Sequence, residues 1–155
     1  MNIAKILIRN FLLLLLFWVL LFDVQRLLFS VIHYDVFKKA GIDFPLIFIY
    51  SLRLDLATAG FLTVIPLFLV FLLKFNNHKW LRILFYVVFG MEILAVSIIH
   101  SAEINAYFEW NHKLTSRVFM HLSNPDEVFR TADYSMTIYF TLFLLLEGIV
   151  AYFLV

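Results

Sequence analysis

The sequence predicts an all-α membrane protein, a polytopic bundle of four transmembrane helices with an interfacial amphipathic helix. Three observations support this prediction. Hydrophobic residues make up 64% of the 155-residue chain and charged residues only 15%, whereas about a quarter of the residues of a soluble domain are charged. Four apolar segments are each long enough to cross a bilayer, which takes about 20 residues. Short polar segments separate them, and we interpret residues 1–155 as a single transmembrane domain.

The charge and cysteine content exclude several classes of function. The formal net charge is +1, so no overall positive field draws the chain to nucleic acid. The sequence has no cysteine, which excludes disulfides and thiolate metal sites. It also has no glycine-rich phosphate loop, no His-Glu-x-x-His helix and no Gly-x-Ser-x-Gly turn. His100 and Glu103 have the spacing of metal ligands in helical bundles, but such a site needs a second pair. Taken together, these observations predict no catalytic residue, metal or cofactor in this chain.

The first span is predicted at about residues 6–32. Its apolar core, residues 11–22, follows Lys5 and Arg9 as in a signal peptide. No small-residue cleavage site comes after this core, so we predict an uncleaved helix. Asp23 and Arg26 are three residues apart and share one helical face. We expect them to pair with each other or with a neighbouring helix.

The second span is predicted at about residues 45–73. Gly41 marks the turn before it, and Pro45 suits the first turn of a helix. Arg53 and Asp55 interrupt the apolar sequence. Because they are two positions apart, a helix points their side chains in different directions, and each needs a partner on another element.

We expect these partners to come from the segment after the third span. Glu103 is the expected partner of Arg53, and Lys113 or Arg117 that of Asp55. Such a cluster suits an anionic lipid headgroup, because a guanidinium offers a planar fork to phosphate oxygens. The alternative is that the same charges only fasten the helices to one another.

The third span is predicted at about residues 81–101 and the fourth at about residues 134–155. Each carries one carboxylate near its middle, Glu92 in the third span and Glu147 in the fourth. An isolated carboxylate at this depth is either a proton relay or a protonated group that hydrogen-bonds two helices together.

The segment between these two spans, about residues 103–130, is predicted to form an amphipathic helix at the membrane surface. Its apolar residues recur at steps of three and four, the spacing of one helical face. They are Tyr107, Trp110, Leu114, Val118 and Leu122. The alternative is a long, aromatic-rich loop.

The distribution of charge predicts the orientation in the membrane. One side of the predicted bundle carries basic residues without acids: Lys5, Arg9, Lys74, Lys79 and Arg82. By the positive-inside rule the amino terminus and the turn after the second span are cytoplasmic. Residues 33–44 and 102–133 then both face outward.

Four short segments together resemble the amino-terminal membrane domain of lipoteichoic-acid-synthase-like proteins. They are residues 51–56 (SLRLDL), 103–108 (EINAYF), 113–117 (KLTSR) and 124–127 (NPDE). That family joins transmembrane helices to an extracytoplasmic sulfatase-fold domain of the alkaline phosphatase superfamily. The chain departs from the family pattern at Glu103, where the family often has Asp, and at Lys113, where it often has Arg.

The resemblance implies a domain of the bacterial plasma (inner) membrane that anchors and orients an extracytoplasmic phosphoglycerol transferase or sulfatase-like enzyme of the cell envelope. The catalytic domain, with a divalent metal, Mn or Mg, is expected outside this chain but in the same polypeptide, and a fifth helix before it. Membrane lipids are the other expected partners. We predict an outer polar cluster that either holds a lipid or substrate headgroup or has a structural role. Its residues are Arg53, Asp55, Glu103, Asn105 and Arg117.

Two other functions fit the residues. One is a small ion-coupled transporter that uses Glu92 and Glu147 as a proton relay. The other is a non-catalytic assembly subunit that binds a membrane partner through its helices.

Overall fold

The computed structural model describes residues 3–76, 78–110 and 134–154. Its elements, all of them helices within these ranges, are α1 (Ile3–Ile32), α2 (Tyr34–Lys39), α3 (Phe44–Phe75), α4 (Lys79–Trp110) and α5 (Tyr134–Leu154). Four helices of the described part are long and apolar enough to cross a membrane: Ala4–Ile32, Phe44–Phe75, Lys79–Tyr107 and Tyr134–Leu154. The predicted all-α fold with four transmembrane helices is confirmed.

Contacts divide the chain into two compact units. The first unit is Met1–Ile93 with Phe153–Val155, and the second unit is Leu94–Tyr152. The first unit therefore contains α1, α2, α3 and the amino-terminal half of α4. The second unit contains the rest of α4 and nearly all of α5.

In the first unit α1 packs against α3, and the short helix α2 connects them. Helix α2 is not predictable from the sequence pattern, because a helix of six residues is too short to show a hydrophobic period. Asp35 lies in its first turn and Lys38 and Lys39 in its last. Each charge lies at the helix end where the backbone dipole stabilises it.

The turn between α2 and α3 has the hydrogen bonds of a Schellman motif. The Gly41 N–H donates to the Lys38 carbonyl at 3.2 Å, and the Ile42 N–H donates to the Phe37 carbonyl at 3.1 Å. Gly41 has a φ of +66°, a conformation that glycine adopts without steric cost. Pro45 lies in the first turn of α3. The predicted turn and helix start are therefore confirmed.

The basic turn between α3 and α4 is short, since α3 ends at Phe75 and α4 begins at Lys79. The Asn76 N–H still donates to the Leu72 carbonyl at 3.0 Å, and the Leu81 N–H already donates to the His78 carbonyl at 3.1 Å. Asn76 and Leu81 thus both make helix-type backbone hydrogen bonds at the two ends of the turn. Such bonds satisfy backbone groups that would be costly to leave unpaired near a membrane.

Helix α4 continues beyond the predicted end of the third span at residue 101 and ends at Trp110. No glycine or proline occurs between these positions to break it. The Asn105 side chain folds back on the helix, with Nδ2 donating to the Ser101 carbonyl at 2.9 Å. The first residues of the predicted interfacial helix are thus part of α4. Residues 111–130 of that prediction lie outside the described residues.

Aromatic side chains form the core of the first unit. Phe17 and Trp18 of α1 contact Phe89 of α4, with ring centroids 5.0 Å and 5.8 Å apart. All three are buried, Trp18 completely. Because lipid is as apolar as these rings, the contacts stabilise the helices through close packing rather than through removal from water.

We predict that Phe89→Ala destabilises the first unit by about 2 kcal/mol, from a cavity of roughly 100 Å³ at about 24 cal/mol per Å³. Phe61→Ala on α3 is the matched control, because that ring is 79% exposed. The free energy of unfolding, measured by titrating SDS into lipid–detergent micelles, checks the prediction. Equal losses in the two variants would contradict it.

Candidate functional site

A charged contact joins α1 to α3 in the first unit. Arg26 donates from Nη1 to Asp55 Oδ2 at 2.7 Å and from Nη2 to Oδ1 at 2.8 Å. These two parallel bonds form a planar fork, the strongest geometry for this pair of groups. Asp55 is only 6% exposed. An ionised carboxylate buried between apolar helices is costly unless a cation meets it, so the fork makes this burial tolerable and fixes α1 along α3.

Two more groups surround the Arg26 guanidinium. Asp23, one turn earlier on α1, places Oδ1 3.5 Å from Nη1. The ring of Phe48 on α3 has its centroid 5.9 Å from Arg26 Cζ, within the range of a cation–π contact. The expectation that Asp23 and Arg26 pair with each other or with a neighbouring helix is confirmed, and Arg26 does both.

Arg26 is a partner of Asp55 that differs from the predicted partners. These are Lys113 and Arg117, both of which lie outside the described residues. One signal for the contact was present in the sequence. Arg26 lies near the end of α1 and Asp55 in the first half of α3, so a tight hairpin through α2 brings them to the same end of the two helices.

Arg53 differs from Asp55 although it lies only two residues before it. The Arg53 side chain is exposed, and the residues one turn before it on the same face, Ile49 and Tyr50, are 64% and 79% exposed. Asp55 turns inward to Arg26, whereas Arg53 lies on the outer surface of α3. The prediction that the two side chains point in different directions is confirmed.

The other predicted cluster residues lie on different parts of the chain. Glu103 is half-buried and Asn105 is buried, and the Asn105 amide is engaged with its own helix. Arg117 lies outside the described residues. Arg53 belongs to the first unit and Glu103 to the second, so their contact stays a prediction. For Asp55 and Asn105 the described contacts favour the structural alternative.

A second polar contact lies within the second unit. His100 Nδ1 of α4 is hydrogen-bonded to Glu147 Oε1 of α5. Glu147 is completely buried and His100 is 8% exposed. Two serines on the same face of α4, Ser97 and Ser101, are also buried. Spacing along one helix relates His100 to Glu103 instead, because a contact between two helices leaves no such spacing in the sequence.

Glu92, the other mid-span carboxylate, is half-buried in the first unit. Its Oε2 is buried without a hydrogen-bond partner among the described residues. Because Glu92 and Glu147 belong to different units, the predicted relay between them stays a prediction. The described ranges hold no group of three residues that could bind a metal ion.

We predict that Asp55→Ala destabilises the protein by about 3 kcal/mol, because it leaves a part-buried guanidinium without its carboxylate. Replacing both partners, Arg26→Met with Asp55→Leu, should cost about 1 kcal/mol or less, since neither charge remains. Asp23→Ala is the control. Asp23 is farther from Arg26, at 3.5 Å, and its side chain is 40% exposed. The Asp23→Ala variant should therefore also lose less than about 1 kcal/mol of unfolding free energy.

Unfolding free energies of the four proteins, including the unmodified chain, check this prediction. It is contradicted when Asp55→Ala costs no more than Asp23→Ala, or when the double variant is less stable than Asp55→Ala.

The chain was compared with protein-family models, with curated proteins and with solved structures. None of the three comparisons found a match. The resemblance to lipoteichoic-acid-synthase-like proteins therefore depends on the four short segments of the sequence alone, and the family stays a proposal.

Proposed function

We propose that this chain is the membrane-anchoring and substrate-orienting domain of an extracytoplasmic phosphoglycerol transferase or sulfatase-like enzyme, which acts on a lipid or on a cell-envelope glycan. The four membrane-spanning helices supply the anchor. The substrate-orienting part of the proposal rests on the exposed guanidinium of Arg53. The nearby carboxylate of Asp55 is already hydrogen-bonded to Arg26.

The proposed orientation has the amino terminus and the basic turn between α3 and α4 in the cytoplasm of a bacterial cell. Lys74, Lys79 and Arg82 belong to this turn or flank it, without an acid among residues 74–82, which supports the assignment by the positive-inside rule. In this orientation α2 and the start of α3 face outward. Arg53 is then roughly 14 Å from the outer end of α3, at 1.5 Å per residue.

Arg53 has a charge that Asp55 does not neutralise. The Asp55 carboxylate accepts both of its short hydrogen bonds from Arg26 and is buried, whereas Arg53 is exposed on the other side of α3. A guanidinium on a lipid-facing helix surface costs about 2.5–3.5 kcal/mol at mid-depth. An anion at the outer leaflet lowers this cost, and a phosphate oxygen pair matches the guanidinium fork.

A domain that orients a substrate must itself be rigid. The fork between Arg26 and Asp55 fixes α1 against α3, and the Schellman turn fixes the connection between these helices. Arg53 therefore projects from two helices, α1 and α3, whose relative position is fixed. A headgroup bound to it has a defined position relative to the membrane surface.

The proposed partners follow from the resemblance. They are membrane lipids and a sulfatase-fold catalytic domain on the extracytoplasmic side, in the same polypeptide, which would hold the divalent metal, Mn or Mg, and the nucleophile. Glu103 and Arg117 are proposed to extend the headgroup cluster from the second unit and from the segment after it.

The natural coding sequence beyond the Val155 codon gives a first test. We predict that it encodes a further transmembrane helix followed by a domain with a metal-bound threonine or serine nucleophile. A coding sequence that continues into an unrelated domain, or ends there, would contradict the enzymatic part of the proposal.

Turnover by the full-length enzyme gives a second test. Arg53→Ala should lower kcat/KM for a lipid-linked substrate about tenfold or more, because it removes a charge-assisted hydrogen bond of about 1.5–3 kcal/mol. Arg117→Ala is predicted to act in the same direction. Turnover of a soluble phosphate or sulfate ester should stay unchanged in both variants.

Arg9→Ala is the matched control, since Arg9 is also an exposed arginine on a membrane helix but lies at the end proposed to be cytoplasmic. It should leave the ratio of the two activities unchanged. Equal losses with lipid-linked and soluble substrates, or no loss in Arg53→Ala, would mean that the cluster is structural.

A further inference from the structure

An open apolar groove lies in the first unit where α1, α2 and α3 come together. It has a volume of about 470 Å³ and is lined by Val31 of α1, Tyr34 of α2 and Phe44 of α3. Val31 is 59% exposed and Tyr34 is 52% exposed. Volumes of about 300–1,000 Å³ are typical of sites for small organic molecules, so the groove has room for part of such a ligand.

The position of the groove along the membrane normal matches that of a phospholipid. Val31 belongs to the membrane span Ala4–Ile32, and Phe44 is the first residue of the span Phe44–Phe75. Tyr34 lies between the two spans, in the short helix α2. The groove therefore reaches from the edge of the apolar layer to the headgroup layer, where tyrosine is enriched. An acyl chain matches its lining, because aliphatic chains pack closely on aliphatic and aromatic side chains.

Four charged side chains, two of each sign, flank the groove at the headgroup level. They are Asp35, Lys38 and Lys39 of α2, and Asp43 immediately before α3. Lys38 is one turn after Tyr34 on the same face of α2, and Asp43 adjoins Phe44 in the sequence. All four side chains are exposed. The rim of the groove therefore offers both cations and anions, and its charges add to zero.

These charges are not neutralised by ion pairs within the described part of the protein. The ion pairs of residues 3–76, 78–110 and 134–154 involve none of the four side chains. Asp43 is the N-cap residue of α3, but its side chain makes no capping hydrogen bond. Asp35 and the two lysines complement the dipole of α2, which leaves their oxygen and nitrogen atoms able to bind a ligand.

A lipid headgroup with one phosphate and one primary ammonium group is complementary to this rim. The ammonium group of lysine binds phosphate oxygens, and a carboxylate accepts hydrogen bonds from the N–H groups of an ammonium. Phosphatidylethanolamine contains both groups. The quaternary ammonium of phosphatidylcholine has no N–H to donate, and phosphatidylglycerol has no cation, so each of these two lipids matches only half of the rim.

We propose that the groove binds a molecule of phosphatidylethanolamine. One acyl chain lies along the apolar lining, the phosphate binds the two lysines, and the ammonium group binds the two aspartates. This site is separate from the headgroup cluster. Arg53 is nine positions after Phe44 and, at about 100° per residue, lies on the opposite face of α3. The proposal depends on insertion in a membrane and not on the proposed enzymatic function.

Photocrosslinking from lipid to protein tests the proposal. The protein is placed in phosphatidylcholine bilayer discs with a small, equal fraction of phosphatidylethanolamine, phosphatidylcholine or phosphatidylglycerol that carries a diazirine on one acyl chain. Mass spectrometry of peptides locates the labels. We expect phosphatidylethanolamine to label residues 31–44 about two- to fivefold more than either other lipid, the range of exposed ion pairs. Labels near Arg53 report the headgroup cluster instead.

Two charge variants test the role of the rim. With Asp35→Asn and Asp43→Asn together, only lysines remain, so the preferred label of residues 31–44 should change from phosphatidylethanolamine to phosphatidylglycerol. With Lys38→Gln and Lys39→Gln together, only acids remain, and labelling by phosphatidylglycerol should fall most. The matched control is Lys74→Gln with Lys79→Gln, which removes two exposed lysines at the other end of α3. It should leave labelling of the groove unchanged.

Filling the groove tests the place of the acyl chain. Val31→Trp should lower labelling of residues 34–44 severalfold, whereas Val64→Trp is the matched control, since Val64 on α3 is 60% exposed and Val31 59%. The comparison of lipids in the unmodified protein needs no variant to fold. Equal labelling by the three lipids there, a preference for phosphatidylglycerol, or a groove that no lipid labels would overturn the proposal. So would an unchanged lipid preference in the variant without the two acids.

Discussion

The two hydrogen bonds from Arg26 to Asp55 are the constraint on which the rest of the first unit depends. A carboxylate between membrane helices is tolerated only with a cation in contact, and a planar fork provides that contact with two bonds. It therefore sets how α1 and α3 lie along each other. The aromatic contacts of Phe17 and Trp18 with Phe89 add close packing in the same unit.

The same contact separates the roles of two neighbouring charges. Because Asp55 is engaged by Arg26, the charge of Arg53 is not neutralised from within its own helix and lies on the exposed surface of α3. The second unit has a pair of a different kind, in which the imidazole of His100 on α4 is hydrogen-bonded to the carboxyl group of Glu147 on α5.

Much of the fold was predictable because composition and apolar length decide it. The four spans, the turn at Gly41 and the helix start at Pro45 all follow from local sequence. The partners of the buried charges were not predictable in the same way. Spacing along one helix relates His100 to Glu103 and Asp23 to Arg26, but the contacts of Glu147 and Asp55 depend on which helices pack together. Helix α4 ends later than predicted, because the sequence becomes polar near residue 102 but contains no residue there that breaks a helix.

Arg26 is hydrogen-bonded to Asp55, and we propose that Arg53 binds a phosphate group. Solid-state NMR tests both parts at once, by measuring how lipid ³¹P nuclei dephase the guanidinium ¹⁵N signals of the protein in bilayers that contain an anionic phospholipid. We expect strong dephasing of the Arg53 signal and little dephasing of the Arg26 signal. Dephasing of Arg26, with an Arg53 signal that no phosphorus affects, would contradict it.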